Sequence, residues 1–257
     1  MTDNKGLTIE GPFIATLQRA GNLYIDAGVS SIRILACDER GLELGTLSIP
    51  GNEDLGAAVT SHGLDRLPGS TGIYITGKLQ ETVRHQIGRG ELILPAAALW
   101  SAARSLLEDK PLGIIELSAS GYVIIGIDEA GKLRDDMLSV NPRCGAGSGI
   151  NLDRVLQKLD IERSAVDTIL ANYIGEKNRE RREEVNIRAD RCGVFAASAT
   201  ISDKNQGIPL DFALAVTLKS EVLKACKKLH GGFDSVWLSG GIFNWQYARD
   251  CARDYLE

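Results

Sequence analysis

Two short glycine-rich segments, each containing one cysteine, hold the residues best suited to chemistry in this sequence. Residues 143–149 have the sequence Arg-Cys-Gly-Ala-Gly-Ser-Gly, and residues 191–196 have the sequence Arg-Cys-Gly-Val-Phe-Ala. Each cysteine precedes a stretch with the pattern of a helix, and the free N–H groups and dipole at a helix N-terminus stabilise a thiolate. Cys144 and Cys192 are therefore candidates for metal binding or redox chemistry.

These two cysteines fall short of a complete metal site. Zinc and iron–sulfur clusters normally need about four protein ligands, and the sequence contains no Cys-x-x-Cys pair. A two-fold dimer would double the number of thiolates, so dimerisation is part of the metal-site hypothesis. The remaining cysteines, Cys37, Cys226 and Cys251, lie in strand or helix patterns that favour core packing.

A glycine- and serine-containing turn at residues 26–31 is a candidate phosphate-binding loop. Gly28 would let the backbone approach a phosphate, Ser30 and Ser31 would add hydroxyl donors, and Asp26 could bind hydrated magnesium. An ordinary hairpin turn explains the same residues equally well when the segment is considered alone.

A second glycine turn follows an apolar stretch near the C-terminus. Gly240 and Gly241 come directly after the sequence Val-Trp-Leu-Ser, which predicts a buried strand that opens into a turn. This turn could face an adenosine or its phosphates. Many turns between strands and helices contain two glycines, so this motif is also weak by itself.

An internal repeat with an offset of 90 residues organises these segments. Residues 25–41 align with residues 115–131, so that Asp26 corresponds to Glu116. Each copy predicts a strand, a tight turn, a second strand and an Asp-Glu-x-Gly turn into a third strand. Duplicated sheets followed by helices predict an α/β protein with two related lobes and a cleft between them, residues 1–110 and residues 111–257.

Composition limits the classes of function. The apolar fraction of 44% and the charged fraction of 25% are those of an ordinary globular protein, and the net charge of −5 gives no indication of nucleic acid as a partner. No apolar run approaches the roughly 20 residues that span a bilayer, and the polar N-terminus does not resemble a signal peptide. We therefore expect a cytoplasmic protein with no membrane partner.

The order of these motifs resembles the actin-like ATPase superfamily, which has a ribonuclease H-like α/β fold. Within it, the cysteine segments resemble those of the activators of 2-hydroxyacyl-CoA dehydratases and the ATP-binding subunits of benzoyl-CoA reductase. That family has Lys-Cys-Ala-Ala-Gly-Thr-Gly at residues 143–149 and Cys-Thr-Val-Phe-Ala-Glu-Ser-Glu at residues 192–199. The resemblance extends from about Tyr24 to Asn244.

The resemblance implies an ATP-binding iron–sulfur protein that donates low-potential electrons to a dehydratase or reductase partner. In that family a homodimer shares one [4Fe–4S] cluster, which assigns Cys144 and Cys192 as ligands here. Asp26 and Glu116 correspond to the acidic residues of the catalytic site, with Mg²⁺ bound through water at Asp26. The residues assigned to ATP are Asp26, Gly28, Ser30, Ser31, Gly240 and Gly241.

The chain departs from the family at its second phosphate loop. Where the family has Asp-Ile-Gly-Gly-Gln-Asp, residues 116–121 are Glu-Leu-Ser-Ala-Ser-Gly, so Ser118 and Ala119 replace glycines. Side chains there would stand where the backbone approaches the γ-phosphate. Family members also usually continue with one more strand and an alanine-rich helix, so we expect a fragment of a longer polypeptide or a short member.

Three alternatives remain open at the level of sequence. The altered loop is compatible with a non-hydrolysing subunit or domain that keeps the cluster, paired as a heterodimer with an active paralogue. A small-molecule kinase of the same fold would need a catalytic acid, for which Glu116 is the one candidate. Four cysteines at a dimer interface could also bind zinc.

Overall fold

The computed structural model describes residues 13–104, 110–140, 149–188 and 193–257, with the side chains of residues 193–197 left out. The chain divides into two compact units, Met1–Ala98 and Leu99–Glu257. The predicted boundary between residues 110 and 111 stays a prediction. Both cysteines of the glycine-rich segments, Cys144 and Cys192, lie outside the described residues.

The first unit is built on a five-stranded sheet with the order β3-β2-β1-β4-β5. Strands β1, β2 and β3 are antiparallel neighbours, whereas β4 runs parallel to β1 and β5 runs parallel to β4. The strands are β1 (Asn22–Ala27), β2 (Ser31–Cys37), β3 (Glu43–Pro50), β4 (Gly72–Thr76) and β5 (Glu91–Leu92). The helices that begin in this unit are α1 (Ile14–Leu17), α2 (Leu55–Ser61), α3 (Gln80–Ile87) and α4 (Pro95–Arg104).

One face of this sheet forms the core of the first unit, and the other face is more exposed. Successive side chains of a strand point to opposite faces, and β1 alternates accordingly, with Leu23 and Ile25 buried and Tyr24 exposed. Strand β4 shows the same alternation, because only its Ile73 and Ile75 are buried. It is therefore buried on one side rather than on both.

The second unit contains a four-stranded sheet with the order β8-β7-β6-β9. Strands β6, β7 and β8 are antiparallel neighbours, and β9 runs parallel to β6. The strands are β6 (Leu112–Ser118), β7 (Gly121–Ile127), β8 (Leu133–Val140) and β9 (Ser235–Ser239). The helices are α5 (Gly149–Lys158), α6 (Val166–Ile169), α7 (Arg179–Glu184), α8 (Gly193–Asn205), α9 (Leu210–Cys226) and α10 (Gln246–Leu256).

The apolar helices of the second unit pack on one face of this sheet. Twelve residues of α9 are buried, so that helix forms the centre of the core together with apolar residues of α5 and α10. Strand β9 differs from its prediction as a buried strand, because Val236, Trp237 and Leu238 are half-buried. Its position at the edge of the described sheet explains this, since an edge strand has a neighbour on one side only.

The internal repeat is confirmed by the geometry of matching turns. Asp38 Oδ1 accepts hydrogen bonds of 2.8 Å from the N–H groups of Arg40 and Leu42. Asp128, 90 positions later, accepts from the N–H groups of Ala130 and Lys132 at 2.9 and 2.8 Å. The order β3-β2-β1-β4 of the first sheet also corresponds to β8-β7-β6-β9 of the second. Both units therefore use one duplicated design.

Among the described residues, no helix is long and apolar enough to cross a membrane.

Candidate functional site

The predicted phosphate loop of the first unit is the tight turn between β1 and β2. Gly28 lies so close to the chain that a Cβ there would be 2.8 Å from the carbonyl oxygen of Ser31. The exposed Ser30 anchors the turn through its carbonyl oxygen, which accepts a 2.8 Å hydrogen bond from the N–H of Gly51. The structure thus places Gly28, Ser30 and Ser31 in one turn, as predicted, and adds Gly51 as a support.

Asp26 lies one residue before the end of β1 and has Arg33 as its cross-strand partner. Although the side chain is exposed, desolvation by the surrounding protein raises the pKa of its carboxyl, and the Arg33 guanidinium partly offsets this rise. On its other side, Asp26 is in register with Thr76, at the end of β4. An exposed carboxylate at this position, beside the glycine-containing turn, suits a hydrated divalent cation.

Glu116 holds the matching position in the second unit. It lies on β6, half-buried, with Val123 on β7 and Ser239 on β9 as its register partners. Ser239 directly precedes Gly240 and Gly241, so the structure brings Glu116 together with the late glycine turn. The residues predicted for the nucleotide therefore form one group in each unit: Asp26, Gly28, Ser30 and Ser31 in the first, and Glu116, Gly240 and Gly241 in the second.

The turn between β6 and β7 is shaped by two serine hydroxyls. Ser118 Oγ lies 3.0 Å from Ser120 Oγ and donates to the carbonyl oxygen of Gly121 at 3.3 Å. The corresponding position in the first unit is Gly28, 90 positions earlier, which has no side chain. The second turn therefore contains a hydrogen-bonded side chain, that of Ser118, at the position where the first turn has a glycine.

Helix α5 begins directly against this second turn. A Cβ at Gly149 would be 2.5 Å from the Cα atom of Ala119, so a glycine is needed for this approach. The N–H of Ile150 donates to the carbonyl oxygen of Ala119 at 3.1 Å. The helix pattern predicted after Cys144 is confirmed by α5, which buries Leu152, Val155 and Leu156.

The sequence marks Gly77 as the end of an apolar strand but assigns it no part in the nucleotide site. Gly77, which follows β4, has a φ of +95°, and its Cβ would lie 2.7 Å from the carbonyl oxygen of Ala27. The structure shows that Thr76-Gly77 and Ser239-Gly240 each follow a strand that is parallel to the first strand of a repeat.

A group of side chains that the sequence did not reveal surrounds the Gly240–Gly241 turn. Arg163 Nη2 donates to the carbonyl oxygen of Gly241 at 3.3 Å. The same guanidinium lies 4.5 Å from the ring centroid of Trp245 and pairs with Asp153 of α5. No local motif marks this set, because Asp153, Arg163 and Trp245 are far apart along the chain.

The structure does not test the cysteine ligands. Among the residues that it describes, no group of three or more histidine, cysteine, aspartate and glutamate side chains could hold a metal ion. The cysteines predicted to pack in the core, Cys37, Cys226 and Cys251, are all buried. Burial raises the pKa of the Cys226 and Cys251 thiols to about 12, so both remain protonated.

Comparison with solved structures identifies the fold. The activator of the 2-hydroxyisocaproyl-CoA dehydratase from Clostridium difficile with bound ADPNP superposes with a TM-score of 0.65 and 18% identity, covering 91% of this chain and 85% of that one. Component A of the (R)-2-hydroxyglutaryl-CoA dehydratase from Acidaminococcus fermentans gives 0.64 and 16%, covering 92% and 87%. The ethanolamine utilization protein EutJ from Carboxydothermus hydrogenoformans gives 0.50 and 14%, covering 91% and 81%.

The chain therefore has the actin-like ATPase fold, and the predicted fold class is confirmed. No protein-family model matches the sequence. An uncharacterized protein of Methanocaldococcus jannaschii is 23% identical over 162 residues, which are 62% of this chain and 60% of that protein. The match thus spans less than two thirds of that relative's length. The superpositions establish the fold, and the activity is argued from the site.

Proposed function

We propose that this chain binds Mg²⁺–ATP and acts as an iron–sulfur activator that donates low-potential electrons to a partner enzyme. The observation that carries the proposal is the pair of matching acid-bearing hairpins, Asp26 beside the β1–β2 turn and Glu116 beside the β6–β7 turn. Its support comes from the similarity to a dehydratase activator with bound ADPNP and to component A of a second dehydratase.

The residues of the first turn would hold the phosphates. Gly28 leaves room for a phosphate to approach the backbone, and Ser30 and Ser31 would supply N–H and hydroxyl donors. Asp26 would hold Mg²⁺ through water molecules, because its exposed carboxylate leaves space for a hydration shell. The Gly240–Gly241 turn would lie against the nucleoside.

In the same proposal, Cys144 and Cys192 ligate a [4Fe–4S] cluster shared by two subunits. Helix α5 begins five residues after Cys144 and α8 directly after Cys192, and these two helices pack on each other. Thiolates are the usual ligands of such clusters. When bound, the cluster would supply one-electron transfer at low potential.

A shared cluster makes dimerisation part of the function. Two cysteines from each subunit complete a set of about four thiolates, so the proposed assembly is a homodimer or a heterodimer with a paralogue. The electron acceptor would be an acyl-CoA enzyme of the 2-hydroxyacyl-CoA dehydratase or benzoyl-CoA reductase type.

Purification without oxygen tests this proposal. We expect iron and sulfide at about four each per dimer, lost in Cys144→Ala and in Cys192→Ala and retained in the control variant Cys37→Ala. Binding of Mg²⁺–ATP measured by calorimetry should disappear in Asp26→Ala. A dimer that stays free of iron after reconstitution would overturn the cluster, and a dimer that contains zinc would assign a different metal.

A second candidate function is that of a subunit that binds nucleotide without hydrolysing it. The hydrogen-bonded hydroxyls of Ser118 and Ser120 favour it, because they occupy the second turn where a γ-phosphate would need bare backbone. Magnesium-dependent ATPase activity of the isolated chain would argue against it. Activity that arises only in Ser118→Gly would support it.

A further inference from the structure

The guanidinium of Arg163 joins three separate segments of the second unit. Its Nη1 pairs with Asp153 Oδ1 on α5, and its Nη2 donates to the carbonyl oxygen of Gly241 at 3.3 Å. The planar group also stacks over Trp245, with 4.5 Å between its central carbon and the ring centroid. A planar guanidinium can form such a stack and a carboxylate pair at the same time, which a lysine cannot do.

The segment that carries Arg163 is fastened to the chain that follows the glycine turn. Trp245 Nε1 donates to the carbonyl oxygen of Arg163 at 2.9 Å. Four residues after Arg163, the Asp167 carboxylate accepts from the N–H groups of Gln246 and Tyr247 at 2.8 and 3.3 Å, at the start of α10. These hydrogen bonds hold the segment that contains Arg163 against the chain that follows the Gly240–Gly241 turn.

Asp153, the carboxylate partner of Arg163, lies on α5, and α5 also contacts the β6–β7 turn. The first turn of α5 lies on the β6–β7 turn through Gly149 and Ile150, which contact Ala119. About one helical turn later, Asp153 meets Arg163. Helix α5 is therefore connected to both loops of the second unit that we assign to the nucleotide, directly at one and through Arg163 at the other.

This connection contributes little to stability and is suited to positioning. The Arg163 and Asp153 side chains are 45% and 33% exposed, and ion pairs at such sites add little to the free energy of unfolding. We propose that Arg163 is a positioning residue that couples the Gly240–Gly241 turn to α5, so that a nucleotide on this turn restrains the helix. The inference rests on the proposed nucleotide binding.

Hydrogen exchange measured by mass spectrometry tests the coupling in the full-length chain. In the unaltered protein, a non-hydrolysable ATP analogue with Mg²⁺ should slow exchange of the α5 amides by about 5-fold or more, the lower end of ordinary couplings between sites. In Asp153→Asn and Arg163→Lys this slowing should fall below about 2-fold. Arg154→Lys, which alters an exposed residue beside Asp153, should keep the full effect.

Nucleotide affinity measured on the same samples separates the possible failures. By thermodynamic linkage, a variant that loses the coupling can lose affinity for the analogue by no more than about the same factor. Each variant should therefore still bind the analogue. Equal slowing of α5 exchange in the unaltered protein and in both variants would overturn the role of Arg163 and leave nucleotide binding intact. Failure of the unaltered protein to bind the analogue would overturn the proposed function and this inference with it.

Discussion

Gly77 and Gly240 occupy the same place in the two units. Their φ angles are +95° and +97°, and a Cβ would lie 2.7 Å from the carbonyl oxygen of Ala27 in one case and 2.3 Å from that of Leu117 in the other. Ala27 and Leu117 are themselves 90 positions apart in the repeat. In both units a glycine therefore packs against the last part of the strand that carries the acidic residue.

Replacing Gly240 by alanine is expected to destabilise the protein and weaken nucleotide binding. The positive φ alone costs about 1–3 kcal/mol for a residue with a Cβ, and the overlap with Leu117 adds to this cost. Denaturant unfolding and calorimetric titration with Mg²⁺–ATP measure the two effects. Gly232→Ala is the control, since its Cβ would meet nothing within 4 Å, and we expect a change within about 0.5 kcal/mol. Equal stabilities of the two variants would contradict the argument.

Asp26→Asn is expected to make the fold more stable near neutral pH while removing the proposed magnesium site. Because desolvation raises the pKa of Asp26 in the folded protein, the folded state binds more protons than the unfolded state, and the free energy of unfolding falls as the pH rises through this range. The asparagine variant does not ionise and therefore keeps the stability that the aspartate loses. Unfolding curves recorded at neutral pH and below the ordinary aspartate pKa measure the difference in free energy of unfolding between the two proteins.

At the lower pH the gain from Asp26→Asn should disappear, because aspartate is then protonated in both states. Glu53→Gln, at an exposed residue, serves as the control for the removal of one carboxylate. A gain that persists unchanged in acid would show that it does not come from this ionisation.

Asp128→Ala is expected to lower the free energy of unfolding by about 1–3 kcal/mol, because two N–H groups lose their acceptor. Asp128→Asn keeps a carbonyl oxygen at the same position and should retain most of the stability. Thermal or urea unfolding distinguishes these outcomes. If both substitutions were equally harmful, charge rather than the hydrogen bonds would be the reason.

Asp254→Asn is expected to cost about 1.5–3 kcal/mol, the contribution of hydrogen bonds that involve charged groups. Arg182 is 1% exposed, and its Nε and Nη2 atoms donate to the Asp254 carboxylate at 2.6 and 2.9 Å. The substitution removes this charged acceptor, while Asp250 Oδ2, 3.7 Å from Arg182 Nη1, remains beside the buried guanidinium. Glu180→Gln, on the exposed side of the same helix, is the control and should change the free energy of unfolding by less than about 0.5 kcal/mol.

The sequence by itself determined the repeated design and the type of most elements. The hairpins, the Asp38 and Asp128 turns and the apolar pattern of α5 depend on residues close together in the chain, so local patterns were sufficient to predict them. The same is true of the predicted turn that contains Gly28, Ser30 and Ser31. Cys144 and Cys192, which lie outside the described residues, remain predictions from the sequence.

Only the tertiary structure decided which distant residues meet. Tens of residues separate the partners in the packing of Gly240 on Leu117, in the burial of Arg182 against Asp254 and in the contacts of Arg163 with Gly241 and Trp245. Such contacts leave no periodic pattern, because their geometry arises from the packing of helices on the sheet. For the same reason, β9 could be predicted as a strand but not as the edge of its sheet.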